Sequence, residues 1–279
     1  MKMMTAEPFS LPAFTMAEYN LYRLDDRVFW AFLLAGLIFC LIHAARRAFR
    51  QPRAVDYPEK EGSIPISGGE KIERHTLFQR VFHWSNTVAV IILTISGWMV
   101  YQPRAILSFT ETTSIVFTWH RWGTALLLIG LASHFIYESF IAHGSNPVAV
   151  NRAEGKILLA ILKNFFGLSK SYPLINKYHP GQIVFHWIVA GNLFLLILSG
   201  FVIWKPFRDL LPLSLFGLGW DFVFYCRLLH GFFSATLIPS LMGHIYFAVL
   251  IKKNWSETKS MFTGRVSLRE YLNFHSVSD

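Results

Sequence analysis

The sequence predicts an all-α, polytopic membrane protein: a four-helix bundle built from a duplicated two-helix unit, with one extra N-terminal transmembrane helix. The first observation behind this prediction is the composition. Hydrophobic residues make up 53% of the 279 residues and charged residues 15%, and the mean hydropathy is +0.38. Soluble domains usually carry about 25% charged residues. The deficit indicates that much of the chain is hidden from water.

The second observation is the length of the apolar blocks. Crossing the hydrocarbon core of a bilayer takes about twenty predominantly apolar residues. Five blocks of roughly this length occur, at residues 28–45, 81–101, 118–137, 183–204 and 228–250. The first block is the shortest of the five. A soluble fold of this size has no use for five such segments, so each is expected to be a transmembrane helix.

The third observation is an internal duplication. Residues 79–84 read Gln-Arg-Val-Phe-His-Trp and residues 182–187 read Gln-Ile-Val-Phe-His-Trp, at an offset of 103 residues. Each copy continues as an apolar run that reaches a Ser-Gly pair, at 96–97 and at 199–200. The two copies therefore predict equivalent helices, and each is followed by a second apolar helix.

Each second helix carries two histidines fourteen residues apart, His120 with His134 and His230 with His244. Fourteen residues amount to about four helical turns and a rise of about 21 Å. Both histidines of a pair therefore face the same way, one near each membrane surface. Ionisable residues inside a membrane are expensive and are usually functional.

Six histidines fall at two depths. We call His120 and His230 the outer pair, and we call His83, His134, His186 and His244 the inner layer. Histidines in membrane helices are often hydrogen-bonded core residues, but depth-matched imidazoles on facing helices are what a b-type haem needs. Small residues near these positions would leave room for the macrocycle: Gly97, Gly123, Gly200, Gly231 and Gly243. No CxxCH motif occurs, so the haem is expected to be held without a covalent bond.

The basic residues predict the orientation. Of the 26 Lys and Arg residues, 18 lie in the connections 46–80 and 138–180 and in the tail from residue 252. The positive-inside rule places these segments in the cytoplasm. The N-terminus is then periplasmic and the C-terminus cytoplasmic, in a bacterial inner membrane. The net charge of +9 is read as a topology signal, and nucleic-acid binding is not expected.

This topology divides the chain into five parts. They are a periplasmic arm (1–27), the extra transmembrane helix (28–45), a cytoplasmic loop (46–80), the four-helix bundle (81–250) and a cytoplasmic tail (251–279). Arg46-Arg47 directly after the first span is typical of a membrane stop, which favours an uncleaved span over a cleaved signal segment. Residues 152–168 have helical apolar periodicity, which favours an amphipathic helix at the membrane surface or a helix packed under the bundle.

Three stretches resemble a known family. Residues 73–84 and the following Ser96-Gly97-Trp98 resemble the first haem-bearing helix of the cytochrome b (gamma) subunit of membrane-bound formate dehydrogenases. Related cytochromes b serve nickel-iron hydrogenases and thiosulfate reductases. Residues 178–206 resemble the third helix of that family and its approach, and residues 228–246 resemble the fourth. The resemblance covers about residues 73–265.

The resemblance implies two haems b. The outer haem would be held by His120 and His230, and the inner one by His83 and His244. It also implies a menaquinone or ubiquinone site on the cytoplasmic side, where the matching residues are Gly181 and Gln182 at the start of the fourth span. Gln182 would donate a hydrogen bond to a quinone carbonyl and His179 would relay a proton; the alternative is that Gly181 and Gln182 only start a helix.

His134 and His186 are not needed by the two-haem pattern. Under the duplication, His83 corresponds to His186 and His244 to His134. The image of an inner haem at His83 and His244 is then a third haem at His134 and His186. A rival arrangement pairs His134 with His244, as in the cytochrome b of quinol–cytochrome c oxidoreductases. Both alternatives stay open at this stage.

The predicted function is that of a cytochrome b subunit of a respiratory oxidoreductase complex. It would carry electrons through two haems between a periplasmic partner and the quinone pool, and the same arrangement works in either direction. The sequence has no Fe–S cysteine set and no catalytic dehydrogenase motif, so it does not name the partner. The candidates are an iron–sulfur subunit of a formate dehydrogenase, a hydrogenase, a sulfur-compound reductase and a multihaem cytochrome c. The alternative is a histidine-lined transporter or a proton or metal channel without haem.

Overall fold

The computed structural model describes residues 16–49, 70–101, 113–141, 152–165, 168, 178–211, 216–268 and 271. Much of the predicted periplasmic arm and of the 46–80 loop lies outside these residues, as do His143 and His275. The boundaries of the five predicted parts of the chain therefore stay predictions.

Helices dominate the described residues. In chain order the helices are α1 (Met16–Phe49), α2 (Leu77–Tyr101), α3 (Thr113–Ile136), α4 (Arg152–Phe165), α5 (Pro180–Ile203), α6 (Lys205–Leu210), α7 (Trp220–Ile245) and α8 (Trp255–Thr263). Short strands β1 (Lys71–Glu73) and β2 (Arg265–Ser267) form the one described sheet. Helix α4 forms within the predicted 152–168 stretch, and its place at the membrane surface stays a prediction.

Five described segments are long and apolar enough to cross a membrane: Arg27–Arg46, Leu77–Val100, Ser114–Ile141, Pro180–Ile203 and Trp220–Leu250. Each overlaps one of the five predicted spans, so the predicted fold class is confirmed.

The start of α7 differs from the prediction. The helix begins at Trp220, whereas the apolar block was expected to begin at residue 228. Asp221 and Arg227 interrupt the run of apolar residues. They do not interrupt the backbone hydrogen bonds, which define the helix.

The spans are covered by exposed apolar side chains. Ile129 and Phe135 on α3 are each 68% exposed, and Trp122 is 67% exposed. Such faces suit contact with lipid rather than water. Two of the few buried polar side chains are Ser96 on α2 and Ser199 on α5, at 3% and 6% exposure. Polar side chains thus lie on the inner faces of these two helices.

The described residues form two compact units. The first contains the described part of Met1–Phe39 together with Asn192–Pro239, and the second contains the described parts of Cys40–Gly191 and Ser240–Asp279. In the first unit, Phe32 of α1 packs edge-to-face against Phe232 of α7, with ring centres 6.0 Å apart.

The second unit also holds part of α1 in place. Nδ1 of His43 lies 2.7 Å from the hydroxyl of Tyr246. Tyr246 is buried and begins a π-helical turn, Tyr246–Leu250, that directly follows α7. The N-terminal helix thus contacts this unit through a partly buried hydrogen bond, although no role had been predicted for His43.

Helices α2 and α3 pack along each other in the second unit. Glycines on α3 allow the approach. A Cβ atom at Gly123 would lie 3.0 Å from side-chain carbons of Ile92 and Leu93, and one at Gly130 would lie 2.9 Å from Oδ1 of Asn86. A larger residue at either position would push the helices apart.

The C-terminal tail is tied to the start of α2. Strand β1 pairs antiparallel with β2, with Ile72 opposite Val266. Gly264 ends α8 in the left-handed region at φ 78°, where glycine is favoured. Its carbonyl oxygen accepts hydrogen bonds from the backbone N–H groups of Arg74 and His75, at 2.8 and 3.2 Å. This arrangement places α8 beside the residues that lead into His83.

Candidate haem-ligand histidines

His120 is oriented by a serine on the neighbouring helix. Its Nδ1 lies 2.9 Å from Oγ of Ser96, and the same Oγ lies 2.6 Å from the carbonyl oxygen of Ile92. The carbonyl can only accept, so the one hydroxyl proton of Ser96 goes to Ile92 and Ser96 accepts from Nδ1–H of His120. The lone pair is then on Nε2, which is the nitrogen presented for metal ligation.

His230 repeats this arrangement in the other unit. Its Nδ1 lies 3.0 Å from Oγ of Ser199, and that Oγ lies 2.7 Å from the carbonyl oxygen of Leu195. The proton of the His230 ring is therefore on Nδ1 and the lone pair is on Nε2, as in His120. Both members of the outer pair therefore have the tautomer that a metal-ligating histidine needs, with a hydrogen-bond acceptor behind the ring.

The glycines after these serines lie against the imidazoles. A Cβ atom built on Gly97 would be 3.6 Å from Cε1 of His120, and one on Gly200 would be 3.4 Å from Cε1 of His230. These are ordinary to slightly tight contacts, so glycine lets each ring lie close to the partner helix. The predicted Ser-Gly repeat is thus part of both histidine sites.

The roles of Ser96 and Ser199 were not predicted from the sequence. The repeated Ser-Gly pair was recognised as part of the duplication, but its serines were not connected to the histidines of the following helices. The sequence did contain a signal for these roles. In both copies, a polar residue stands at the same place in an apolar helix. Which histidine each serine meets depends on the packing of two helices.

In the inner layer, His83 and His244 face each other. Their ring centres are 6.2 Å apart and their planes are inclined by 52°. Imidazole nitrogens bind zinc at about 2.0–2.1 Å. We take a similar bond length for iron and place each ring centre about 1 Å behind its nitrogen. Two imidazoles that bind one iron then have ring centres about 6 Å apart. The observed spacing fits a shared haem iron.

A buried nitrogen of His83 supports the same conclusion. Among the described residues, Nδ1 of His83 is a buried side-chain nitrogen for which no hydrogen-bond partner is found. Buried polar atoms are normally satisfied, and an exception needs an explanation. A histidine that binds iron provides one, because the iron would engage a nitrogen of this ring.

Phenylalanines of the duplicated motif stack on two of the inner-layer rings, those of His244 and His134. Phe185 lies parallel to His244, with centres 5.1 Å apart and an interplanar angle of 8°. Phe82 lies parallel to His134, at 4.2 Å and 18°. Phe82 and Phe185 are equivalent residues of the two copies. The structure therefore preserves the duplication in side-chain contacts as well as in sequence.

The ring of His186 meets that of Trp187, its neighbour in the chain, edge-to-face, with ring centres 5.6 Å apart. All four inner-layer histidines belong to the second unit. Across the described residues, no group of three or more His, Cys, Asp or Glu side chains is arranged to hold a bare metal ion. A haem needs only two protein ligands, because its macrocycle supplies the other four.

The tail holds the helix turn that carries His83. The indole Nε1 of Trp84 donates to the carbonyl oxygen of Met261 at 2.9 Å, and Nη1 of Arg80 donates to that of Phe262 at 2.7 Å. The Trp84 ring meets His83 edge-to-face, with centres 5.0 Å apart. The support that α8 and the tail give to this histidine was not predicted from the sequence.

The structure brings Gly181, Gln182 and His179 together as the N-terminal cap of α5. Oε1 of Gln182 accepts from the backbone N–H of His179 at 2.8 Å, and Nδ1 of His179 accepts from the backbone N–H of Gly181 at 3.0 Å. The equivalent residues of the first copy, Thr76 and Gln79, form a reciprocal capping box on α2. This cap is therefore a second feature that both copies share.

Gln182 also reaches the tail. Its Nε2 donates to Oε2 of Glu257 on α8 at 3.2 Å, and Oε1 of Glu257 lies 3.4 Å from Nη2 of Arg74. The Arg74 side chain is 2% exposed and that of Glu257 31%. We call Arg74, Gln182 and Glu257 the tail clasp, because they join the starts of α2 and α5 to α8.

Apolar membrane helices that bring two imidazoles to a haem-compatible distance, as for His83 and His244, are typical of a b-type membrane cytochrome. The family model of prokaryotic cytochrome b561 matches residues 74–264. The chain belongs to that family. It is accordingly a multi-pass bacterial membrane protein that binds haem b and transfers electrons as a subunit of respiratory oxidoreductases.

Individual relatives agree with this assignment at modest identity. The chain is 25% identical over 216 residues to the cytochrome b556(Fdn) subunit of the nitrate-inducible formate dehydrogenase of Escherichia coli, covering 75% of this chain and 91% of the relative. It is 24% identical over 242 residues to the cytochrome subunit of F420 non-reducing hydrogenase II of Methanosarcina mazei, covering 71% and 84%. It is 26% identical over 190 residues to a putative protein-methionine-sulfoxide reductase subunit YedZ1 of Azospira oryzae, covering 64% and 91%.

Proposed function

We propose that the chain binds two haems b, the inner one through His83 and His244 and the outer one through His120 and His230. The observation that carries the proposal is the 6.2 Å between the ring centres of His83 and His244. The outer pairing rests on the equal depth predicted for His120 and His230. It is supported by the matching serine contact that assigns the lone pair of each ring to Nε2.

The residues around the histidines have defined tasks in this proposal. Ser96 and Ser199 hold the outer imidazoles in one tautomer and increase their basicity by accepting from Nδ1–H. Phe185 fixes the plane of His244. A bound haem b supplies one-electron redox chemistry, while the protein supplies ligands, orientation and a medium that excludes water.

We propose that electrons pass between the quinone pool and a periplasmic partner, an iron–sulfur subunit or a multihaem cytochrome c. Relatives named as cytochrome subunits of formate dehydrogenase and of a hydrogenase support an oxidoreductase partner. The distribution of Lys and Arg supports a periplasmic N-terminus and a cytoplasmic C-terminus. The partner would then meet the protein on the side of His120 and His230.

The quinone site is proposed at the start of α5, on the cytoplasmic side, for menaquinone or ubiquinone. The amide nitrogen of Gln182 has two hydrogens, and its bond to Glu257 uses one. The second would donate to a quinone carbonyl. His179 holds the backbone of Gly181 through Nδ1, which leaves its proton on Nε2, and this proton would be passed on as quinone is reduced.

The test is a reduced-minus-oxidised spectrum of the purified chain with haem counted per polypeptide. We expect His83→Ala to lose the inner haem and His120→Ala to lose the outer haem, each with its own α-band. His43→Gln is the matched control, since His43 lies in a span but bonds to Tyr246, and it should keep its haem content. A colourless wild type from haem-replete cells would overturn the proposal and favour the transporter alternative.

A further inference from the structure

We propose that His43, on the extra N-terminal helix α1, is a positioning residue for the inner haem. It holds the turn of chain that follows His244 and so sets the direction of that imidazole. The inference rests on the proposed function, because it takes His83 and His244 as the ligands of the inner haem. It goes further by giving α1 a task in haem binding.

Both second helices of the duplication end in the same unusual backbone conformation. Helix α3 passes directly into a π-helical turn, Tyr137–Ile141, and α7 passes into another, Tyr246–Leu250. Each turn begins within three residues of an inner-layer histidine, His134 on α3 and His244 on α7. Turns of this kind are rare and are frequently found at functional sites. The recurrence beside both histidines indicates that the turn belongs to the histidine sites.

In the first copy, the turn is held by the first helix of that copy. Tyr137 stacks on Phe78 of α2, with ring centres 3.9 Å apart and planes inclined by 16°. About one helical turn further along α2, Phe82 stacks on His134. The ring that holds the turn and the ring that holds the histidine are thus neighbours on α2.

The second copy cannot hold its turn in this way. Phe185 still stacks on His244, but the residue equivalent to Phe78 is Gly181. Glycine has no ring to place against Phe247, which follows His244 at the same distance as Tyr137 follows His134. An aromatic contact with the second turn must therefore come from another part of the chain.

His43 of α1 provides that contact. Its ring meets Phe247 edge-to-face, with centres 5.2 Å apart, and meets Tyr246 edge-to-face at 5.5 Å. Its Nδ1 also lies 2.7 Å from the hydroxyl of Tyr246, and Tyr246 is only 7% exposed. Buried hydroxyls are normally hydrogen-bonded, so this bond fixes Tyr246 against α1. All of these residues belong to the second unit.

The consequence for the haem follows from the position of Tyr246. It is two residues after His244, so fixing it restricts the rotation of the end of α7 about its own axis. That rotation, together with the stack on Phe185, decides where His244 presents its nitrogens. The planes of His244 and His83 are inclined by 52°, and the angle between two axial imidazole planes affects the g-values of a low-spin ferric haem. The role of His43 can therefore be read from the signal of the inner haem.

The experiment records the haem content and the electron paramagnetic resonance spectrum of the oxidised, purified full chain. The inner-haem signal is identified as the one that His83→Ala removes. We expect His43→Ala and Tyr246→Phe to keep two haems and to shift the g-values of the inner haem, with those of the outer haem unchanged. His43→Gln keeps a hydrogen-bond partner for the hydroxyl, so its inner signal should stay close to that of the wild type.

Ile42→Ala is the matched control, because Ile42 is next to His43 but 55% exposed, and it should leave both signals unchanged. Since His43 and Tyr246 act as one unit, the double variant His43→Ala/Tyr246→Phe should shift the inner signal no further than either single variant. Tyr246→Phe removes a single hydroxyl and retains the ring, so it also provides the test where His43→Ala does not fold.

The outcomes separate this inference from the proposed function. Inner-haem g-values that stay at their wild-type positions in His43→Ala and in Tyr246→Phe would overturn the positioning role and leave the two-haem function intact. Equal shifts of both haem signals would also overturn it, because they would show a general disturbance of the bundle. A wild type without haem, or one whose signals all survive in His83→Ala, would overturn the proposed function and this inference with it.

Discussion

Nδ1 of His120 lies 2.9 Å from the hydroxyl oxygen of Ser96. The same hydroxyl donates a hydrogen bond to the carbonyl oxygen of Ile92. The serine therefore acts as an acceptor toward the histidine. The same relationship joins Ser199 to His230. An acceptor behind a ligating imidazole sets its tautomer and raises its basicity, which gives each outer histidine a property that can be measured.

Ser96→Ala should raise the midpoint potential of the outer haem. Losing the acceptor makes the imidazole a weaker donor, which destabilises the oxidised iron more than the reduced iron. A hydrogen bond worth about 0.5–1.5 kcal/mol corresponds to a rise of about 20–60 mV for one electron, taking about 59 mV per tenfold change. A redox titration of both haems measures it.

Ser133→Ala is the control for this prediction, since its hydroxyl bonds to the carbonyl oxygen of Gly130 on its own helix. It should leave the outer potential within error of the wild type. A shift of equal size in Ser133→Ala would show that removing any serine hydroxyl in α2 or α3 perturbs the haem, and the orienting role of Ser96 would be lost.

Substitutions at Gly200 should affect haem content in proportion to side-chain size. A Cβ atom there is 3.4 Å from Cε1 of His230, so Gly200→Ala should keep the outer haem with a small spectral change. Gly200→Leu should displace the imidazole and lose that haem. Haem per polypeptide measures both results. Gly191→Leu on the same helix is the control, because no atom lies within 4 Å of its Cβ position.

Breaking the tail clasp should loosen the cytoplasmic end of the protein. Arg74→Ala leaves Glu257 without its buried ion-pair partner, and removing one partner of a buried pair costs about 3–5 kcal/mol. The cost should be smaller here because Glu257 is partly exposed. We expect faster limited proteolysis of the tail and a broadened signal of the inner haem. Lys205→Ala removes an exposed ion pair with Asp209 and should change neither.

Tyr178 should make this end of the protein sensitive to alkali. Burial raises the pKa of Tyr178, Arg74 lowers it, and Glu138 and Tyr271 raise it, for a net upward shift. The folded-state pKa of Tyr178 is thus above the unfolded value of about 10. The contribution of the neutral Tyr178 to stability is therefore complete below about pH 10 and declines as the pH rises toward the folded-state pKa.

The measurement is thermal unfolding of wild type and Tyr178→Phe between pH 8 and 11, values that bracket the ordinary tyrosine pKa of about 10. We expect the two proteins to have parallel curves at pH 8–9 and the wild type to lose more stability above about pH 10. Identical pH dependence in both proteins would contradict the assignment of the alkaline transition to Tyr178.

The sequence by itself determined the fold class, the five spans and the haem-binding character of the protein. These properties depend on local composition and periodicity: membrane-length apolar runs force helices, because the bilayer offers backbone groups no other partners. The duplication could be recognised from the sequence as well, because comparing two segments 103 residues apart requires no information about packing. Prediction was weaker at α7, where charged residues inside the helix hid its true start.

Only the tertiary structure decided which side chains meet. Ser96 with His120, Phe185 with His244, and Gln182 with Glu257 are contacts between different helices. Such contacts depend on the rotation of each helix about its own axis and on the glycines that let helices approach. Those variables are set by how neighbouring helices pack. The sequence therefore identified the histidines, and the tertiary structure decided which side chains contact them.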